Sequence, residues 1–231
     1  MADAAAPRAE RGVIAELLLQ AGRARPDPVV LCLGAHCDDI EIGCGGSLLR
    51  LRERAPGAVV HWVILSGGAQ RQREARQSAR IFLGAGGEER VKGFAFTDGF
   101  LPWEGDGVKT CFEGLKRELD PDLIFTHALG DRHQDHRLVG ELTWNTWRDH
   151  LILEYEIPKY EGDLGHPNAY VGLDPELAER KVKALLAAYP SQTSKPWFDA
   201  ETLRGLMRLR GVECRQPFAE AFHARKLRIG L

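Results

Sequence analysis

Apolar residues in this chain fall into short runs separated by turn formers, and between the runs they recur every three or four positions. Residues 29–33, VVLCL, have the length and branched content of a buried strand and stop at Gly34. Similar runs at 59–65, 91–96, 123–126 and 151–157 predict four more strands. Helical spacing fills the gaps. Residues 45–54 turn Leu48, Leu49 and Leu51 inward, 71–83 form a charged helix stopped by Gly84, and 108–119 carry Val108, Phe112, Leu115 and Leu119 on one stripe. Asp135 is placed to cap a helix over 136–147. Upstream, 10–20 set Val13, Ile14, Leu17 and Leu18 at helical spacing, ended by Gly22 and the Pro26, Pro28 pair.

Beyond Pro158 the pattern changes. KYEGDLGHPNAYVGL, residues 159–173, reads as a loop rich in turn formers. Asp174 and Pro175 then open a helix with Leu177, Val182, Leu185, Leu186 and Tyr189 on one stripe, and a second helix runs over about 199–210. Alternation at Phe218, Glu220 and Phe222 predicts a closing strand within 218–229. Strands alternating with helices predict an α/β fold: a Rossmann-like open sheet, mostly parallel, with helices on both faces, C-terminal helices and a possible extra strand. One domain is expected over 1–231, with its core at 28–157 and an elaboration at 158–231. In the doubly wound order, strands one and four are neighbours at the switch point, and ligands bind outside the carboxyl ends of the strands there.

Composition narrows the partners. A formal net charge of −2, with mixed charges along 231 residues, provides no field to attract nucleic acid or an anionic membrane. The longest apolar runs are strand-sized, so no membrane span is expected, and MADAAAPRAERG lacks the basic-then-apolar order of a signal peptide. Five scattered Cys make no disulfide framework. A cytoplasmic protein is expected, able to associate with copies of itself.

The chemistry sits where the topology rule points. His36, Asp38 and Asp39 crowd beyond the first strand, and HALGDRHQDH beyond the fourth supplies His127, Asp131, His133, Asp135 and His136. Burying so many ionisable groups without a cation or a reaction to serve would be costly. The segment AHCDD at 35–39, with Gly45 and Gly46 behind it, resembles the AHPDD motif of the PIG-L (LmbE-like) zinc-dependent N-deacetylases, and His133 to His136 resemble that family's HxDH motif. The resemblance covers roughly residues 28–150 and extends weakly to AEAF at 219–222, a segment near the family's pocket that brings in Glu220.

Three protein ligands and a water are usual for catalytic zinc, which assigns His36, Asp39 and His136 to one Zn2+ per chain or another divalent transition metal. Zinc lowers the pKa of its water to about 7, and Asp38, not itself a ligand, is placed to take the proton. His133, as an imidazolium oriented by Asp135, would stabilise the oxyanion. These roles agree with those at the matching positions of the family, whose likeness implies removal of acetate from an N-acetylated amino sugar or its conjugate. Further substrate contacts are expected among Arg71, Arg73, Asp98, Trp103, His127, Asp131 and Glu220. Cys37 stands where the family has Pro and adds a possible soft ligand. The rival readings are an amidase cleaving another small amide, a nucleotide-binding domain, disfavoured because GAHCDD lacks GxGxxG spacing, and a non-catalytic metal-binding module.

Overall fold

A computed structural model describes residues 27–227; the helix expected at 10–20 lies outside them. The first five strands are β1 (Val29–Gly34), β2 (Val59–Ser66), β3 (Val91–Phe96), β4 (Leu123–His127) and β5 (Leu151–Tyr155). They pair in parallel in the order β3-β2-β1-β4-β5, as the doubly wound rule requires. The register Val30↔Leu123, Leu31↔Ile124 and Cys32↔Phe125 sets the two cluster-bearing ends side by side.

Strand alternation divides the core in two. Val30, Cys32, Trp62 and Ile64 face one side, under the helices α1 (Asp39–Arg54), α2 (Ala69–Leu83) and α5 (Pro175–Ala188). Leu31, Leu33, Val63 and Leu65 face the other, under α3 (Gly105–Glu118) and α4 (Gln134–Thr146). Asp174 caps α5 by accepting from the Leu177 N–H at 2.8 Å. The helix expected near 199–210 is α6 (Ala200–Glu213). No helix among the described residues is long and apolar enough to cross a membrane.

Three elements differ from the expectations. Residues 169–173 are not loop but an edge strand, β6 (Ala169–Leu173), antiparallel to the closing strand β7 (Phe218–His223), which pairs in turn with β5. A five-residue edge strand carries too little alternation to be told from loop. Helix α1 begins at Asp39, six residues before the expected start at 45, because Gly43, Gly45 and Gly46 lower helix propensity without ending the helix. Their missing side chains let Tyr155, Phe82 and Leu173 pack against the helix axis, where a Cβ would come within 2.3 to 2.8 Å of those side chains. The cap of α4 is His133, whose ring accepts from the Asp135 N–H, rather than Asp135.

Glu220, expected among the substrate contacts, is bound into this frame. Its carboxylate accepts from the Gly46 and Ser47 N–H groups at 2.7 and 2.6 Å, from Ser47 Oγ at 2.6 Å and from Lys181 Nζ at 2.6 Å, all buried. Both oxygens are occupied holding β7 to α1 and α5. Removing one partner of a buried ion pair leaves the other charge uncompensated. Glu220→Ala is therefore expected to lose about 3–5 kcal/mol of stability in urea unfolding. A midpoint equal to wild type would show that Glu220 holds nothing together.

Candidate active site

Helix α1 starts immediately beyond β1, which places Asp38 at its N-cap and Asp39 in its first turn. The neighbouring β4 ends at His127, and a short loop leads to His133, Asp135 and His136 at the start of α4. His36 Nδ1 lies 3.1 Å from His136 Nε2 and 3.4 Å from Asp39 Oδ2, and His136 Nε2 lies 3.6 Å from Asp39 Oδ1. For an ion held at about 2.0–2.2 Å, tetrahedral donors stand roughly 3.3–3.6 Å apart, a spacing these contacts approach with His36 and His136 meeting opposite oxygens of Asp39.

The far nitrogens explain the convergence. His36 Nε2 faces Asp98 Oδ1 at 3.1 Å and Asp135 Oδ2 at 3.2 Å, while His136 Nδ1 faces Asp131 Oδ2 at 2.9 Å. A carboxylate accepts from an N–H, which places each imidazole's proton on its outer nitrogen. The inner nitrogens are left with lone pairs aimed at one another and at Asp39. Acceptors in such contact repel unless a positive charge lies among them. An ion can supply that charge, and so can a second proton on His36: burial works against its cation, yet Asp39 and the bonds to Asp135 and Asp98 push its pKa well up. Burial would raise the Asp39 carboxyl, but His136, His127 and His36 hold it well below the usual range. The donor groups that lie close enough together to hold an ion are His36, His133 and His136, then Asp39, His127 and His136, then His36, Asp98 and Asp135, so that the first two share His136 and bring His36 and Asp39 to it from different sides. The second contains His127 Nε2, which already accepts from the Ala35 N–H, and the third uses the nitrogen of His36 that faces carboxylates.

Asp38 is buried beside this group, and Arg71 Nη2 donates to its Oδ1 at 2.7 Å. Burial raises the Asp38 carboxyl against the pull of Arg71, the direction that suits a base working near neutral pH. His133 Nδ1 accepts from the Asp135 main-chain N–H at 3.3 Å, so the neutral ring carries its proton on Nε2. Burial and the nearby His136 and His36 lower its pKa, a direction that favours the neutral ring over the expected imidazolium. The carboxylate of Asp135 does not reach the His133 ring. Its acceptor sites are taken by His36 Nε2 and by the Gly99 and Leu101 N–H groups at 2.7 and 3.1 Å.

A cleft of about 370 Å³ opens over His36, Cys37, Gly67, Gly68, Arg71 and Asp98, the size of a small-molecule site. Of the expected substrate contacts, Arg71 and Asp98 line it and the others do not. Arg73 is exposed on the outer side of α2, and Trp103 is 72% exposed, against only Phe100 at 5.6 Å. His127 is fully buried behind the site, its Nε2 3.1 Å from Asp39 Oδ2 and its ring stacked on His136 at 3.9 Å. Asp131 fixes His136 and is itself held by Lys159 Nζ at 2.9 Å. Cys37 belongs to none of these donor groups: its thiol donates to Ser66 O, and burial pushes its pKa up to about 12. Gly67 faces it at φ +138, where a Cβ would meet the sulfur at 2.4 Å.

Sequence reasoning missed Tyr189 and Lys159, which reach the site by tertiary contact, and Glu41, which lies in the first turn of α1 but is turned away from the donors toward Tyr189. Tyr189 OH lies at the Cys37 carbonyl and 2.6 Å from Glu41 Oε1. The Tyr189 hydroxyl thus shares its one proton between the Cys37 carbonyl and Glu41 Oε1, while burial pushes the Glu41 carboxyl up to about 8. This hydroxyl braces the 35–39 loop from below. A glutamine keeps an oxygen that accepts from Tyr189, so Glu41→Gln is expected to keep kcat/KM within a few-fold of wild type, and a loss beyond about 100-fold would show that the carboxyl itself is needed.

Residues 31–147 match the family model PIG-L, described as GlcNAc-PI de-N-acetylase. The uncharacterized deacetylase YaiS of Escherichia coli K12 is 32% identical over 141 residues, which cover 56% of this chain and 74% of that protein. Among solved structures, the N,N'-diacetylchitobiose deacetylase of Pyrococcus horikoshii is similar with a TM-score of 0.69 at 22% identity, covering 86% of this chain and 84% of that one. GalB, the 4-carboxy-2-hydroxymuconate hydratase of Pseudomonas putida KT2440, reaches 0.71 at 18% identity, covering 88% and 98%. A deacetylase and a hydratase share this architecture, so the fold does not select the reaction.

Proposed function

The chain belongs to the PIG-L family of deacetylases, and from that premise we propose that it is a metal-dependent hydrolase removing the acetyl group from an N-acetylated amino sugar or its conjugate. The observation that carries the reading is the set of lone pairs of His36 Nδ1, His136 Nε2 and Asp39 converging beside an uncoordinated Asp38. A divalent ion held by those three residues, zinc by the mix of imidazole and carboxylate, would polarise an amide carbonyl and make water acidic.

Around that ion the chain's own groups divide the work. Asp38, raised by burial and oriented by Arg71, takes the proton from the attacking water and is the group nearest to return it to the leaving amine. His133 offers its Nε2 proton to the oxyanion of the tetrahedral intermediate. Arg71 and Asp98 on the cleft wall are placed to hold sugar hydroxyls. The sugar reading draws on the family description and on the chitobiose deacetylase, whose fold this chain shares.

Acetate release from a panel of N-acetyl sugars, from N-acetylglucosamine to its disaccharide and lipid conjugates, tests the proposal on protein whose metal content has been measured. Turnover of at least one member that stops on chelation and returns with zinc is expected. Metal-loaded protein that releases acetate from none of them, but acts on another small amide, would replace the sugar with that substrate.

A further inference from the structure

We propose that Asp135 is a positioning residue that ties the His36 ring to the loop of residues 97–104, so that metal affinity and the shape of the cleft wall are set by one carboxylate. The inference rests on the reading of His36 as a metal ligand. Asp135 has a fully buried side chain on the first turn of α4. Its Oδ2 faces His36 Nε2 at 3.2 Å and accepts the Gly99 N–H at 2.7 Å, and its Oδ1 accepts the Leu101 N–H at 3.1 Å. Three N–H groups thus share two buried oxygens, a charge-assisted arrangement that satisfies the carboxylate without any contribution from the His133 ring.

The loop is shaped to reach it. Gly99 adopts φ +82, a conformation that L side chains rarely accept, and Gln134 Nε2 donates to the Gly99 carbonyl at 3.0 Å, so that consecutive residues of α4 grip the two peptides flanking Gly99. Asp98 is thereby brought to His36 Nε2 at 3.1 Å and onto the cleft wall. Phe100 and Trp103, both exposed, ride on the same loop. If the loop shifts, His36 loses one acceptor directly and the other's partners. Coupling between two sites is reciprocal, so an ion that fixes His36 must also steady Gly99 and Leu101.

Three measurements on the full chain test this. Competition against a chelating chromophore is expected to show Zn2+ bound about 10–100-fold more weakly by Asp135→Asn than by wild type, the range found when an outer partner of a metal ligand is removed. The visible absorption of the Co2+-loaded variant should differ from wild type, and its KM should rise along with the fall in kcat, because Asp98 moves with the loop. His133→Asn, by contrast, should bind Zn2+ and Co2+ as wild type does. Wild-type affinity and spectrum in Asp135→Asn would overturn the proposal, and a simultaneous change in the His133 titration followed by NMR would assign Asp135 to that ring instead. Should the variant not fold, hydrogen exchange of the wild type decides: Zn2+ is expected to slow the Gly99 and Leu101 amides severalfold, and unchanged rates overturn the coupling. A wild type that takes up no ion at all overturns the site reading together with this one.

Discussion

Asp38→Asn is expected to retain a full complement of divalent ion while its turnover falls by about 10²–10⁴-fold, the usual contribution of a positioned general base. The asparagine keeps the size of the side chain and an oxygen for Arg71 Nη2, which holds Asp38 Oδ1 at 2.7 Å. It cannot take a proton. Since none of the three converging donors belongs to Asp38, elemental analysis should find the variant as loaded as wild type. The loss should fall on kcat with KM little changed, because Asp38 is buried beneath the cleft rather than on its wall. Unimpaired turnover would move the proton to another carboxylate, and a variant lacking metal would make Asp38 a ligand.

His36→Ala is expected to lose the ion and the activity together. Removing an outer partner of a ligand typically costs 10–100-fold in affinity, and removing one of three ligands must exceed that. The substitution also leaves Asp98 and Asp135 without the Nε2–H they face. Four carboxylates, Asp39, Asp98, Asp131 and Asp135, then surround the gap with His136 as the one remaining imidazole ligand. Dialysed protein should contain no stoichiometric metal while its thermal transition remains cooperative. Full metal content in this variant would shift the site to Asp39, His127 and His136, the alternative buried set.

The positions of these residues were legible in the chain to different depths. The paired clusters at 36–39 and 127–136 stand at the ends of two apolar runs, and the doubly wound order alone predicts that the runs are neighbours, as Leu31↔Ile124 shows. The expected ligand triad could be named from residue types and a family likeness, without coordinates. Substrate contacts could not. Arg71 and Arg73 are equivalent in sequence, two positions apart, yet a helix turns them in different directions, and only Arg71 meets Asp38. Glu220 shares a segment with the family's pocket motif but spends its carboxylate on Ser47 and Lys181. Asp135 lies two residues from His133, and sequence proximity suggested a pairing that the first turn of α4 prevents by pointing the carboxylate at His36 and Gly99.

By itself the sequence determined the alternating α/β architecture, the parallel order of the first five strands and the chemical types that meet at the switch point, because hydrophobic period and chain connectivity are local properties written in residue order. Tertiary structure alone decided which nitrogen of each histidine faces inward, which carboxylate braces the frame and which holds an imidazole, and that Tyr189 supports the first loop at Cys37 from 152 residues away. A hydrogen bond depends on direction and on a distance of about 3 Å. Those quantities arise only once helices have packed on the sheet, and no spacing along the chain encodes them.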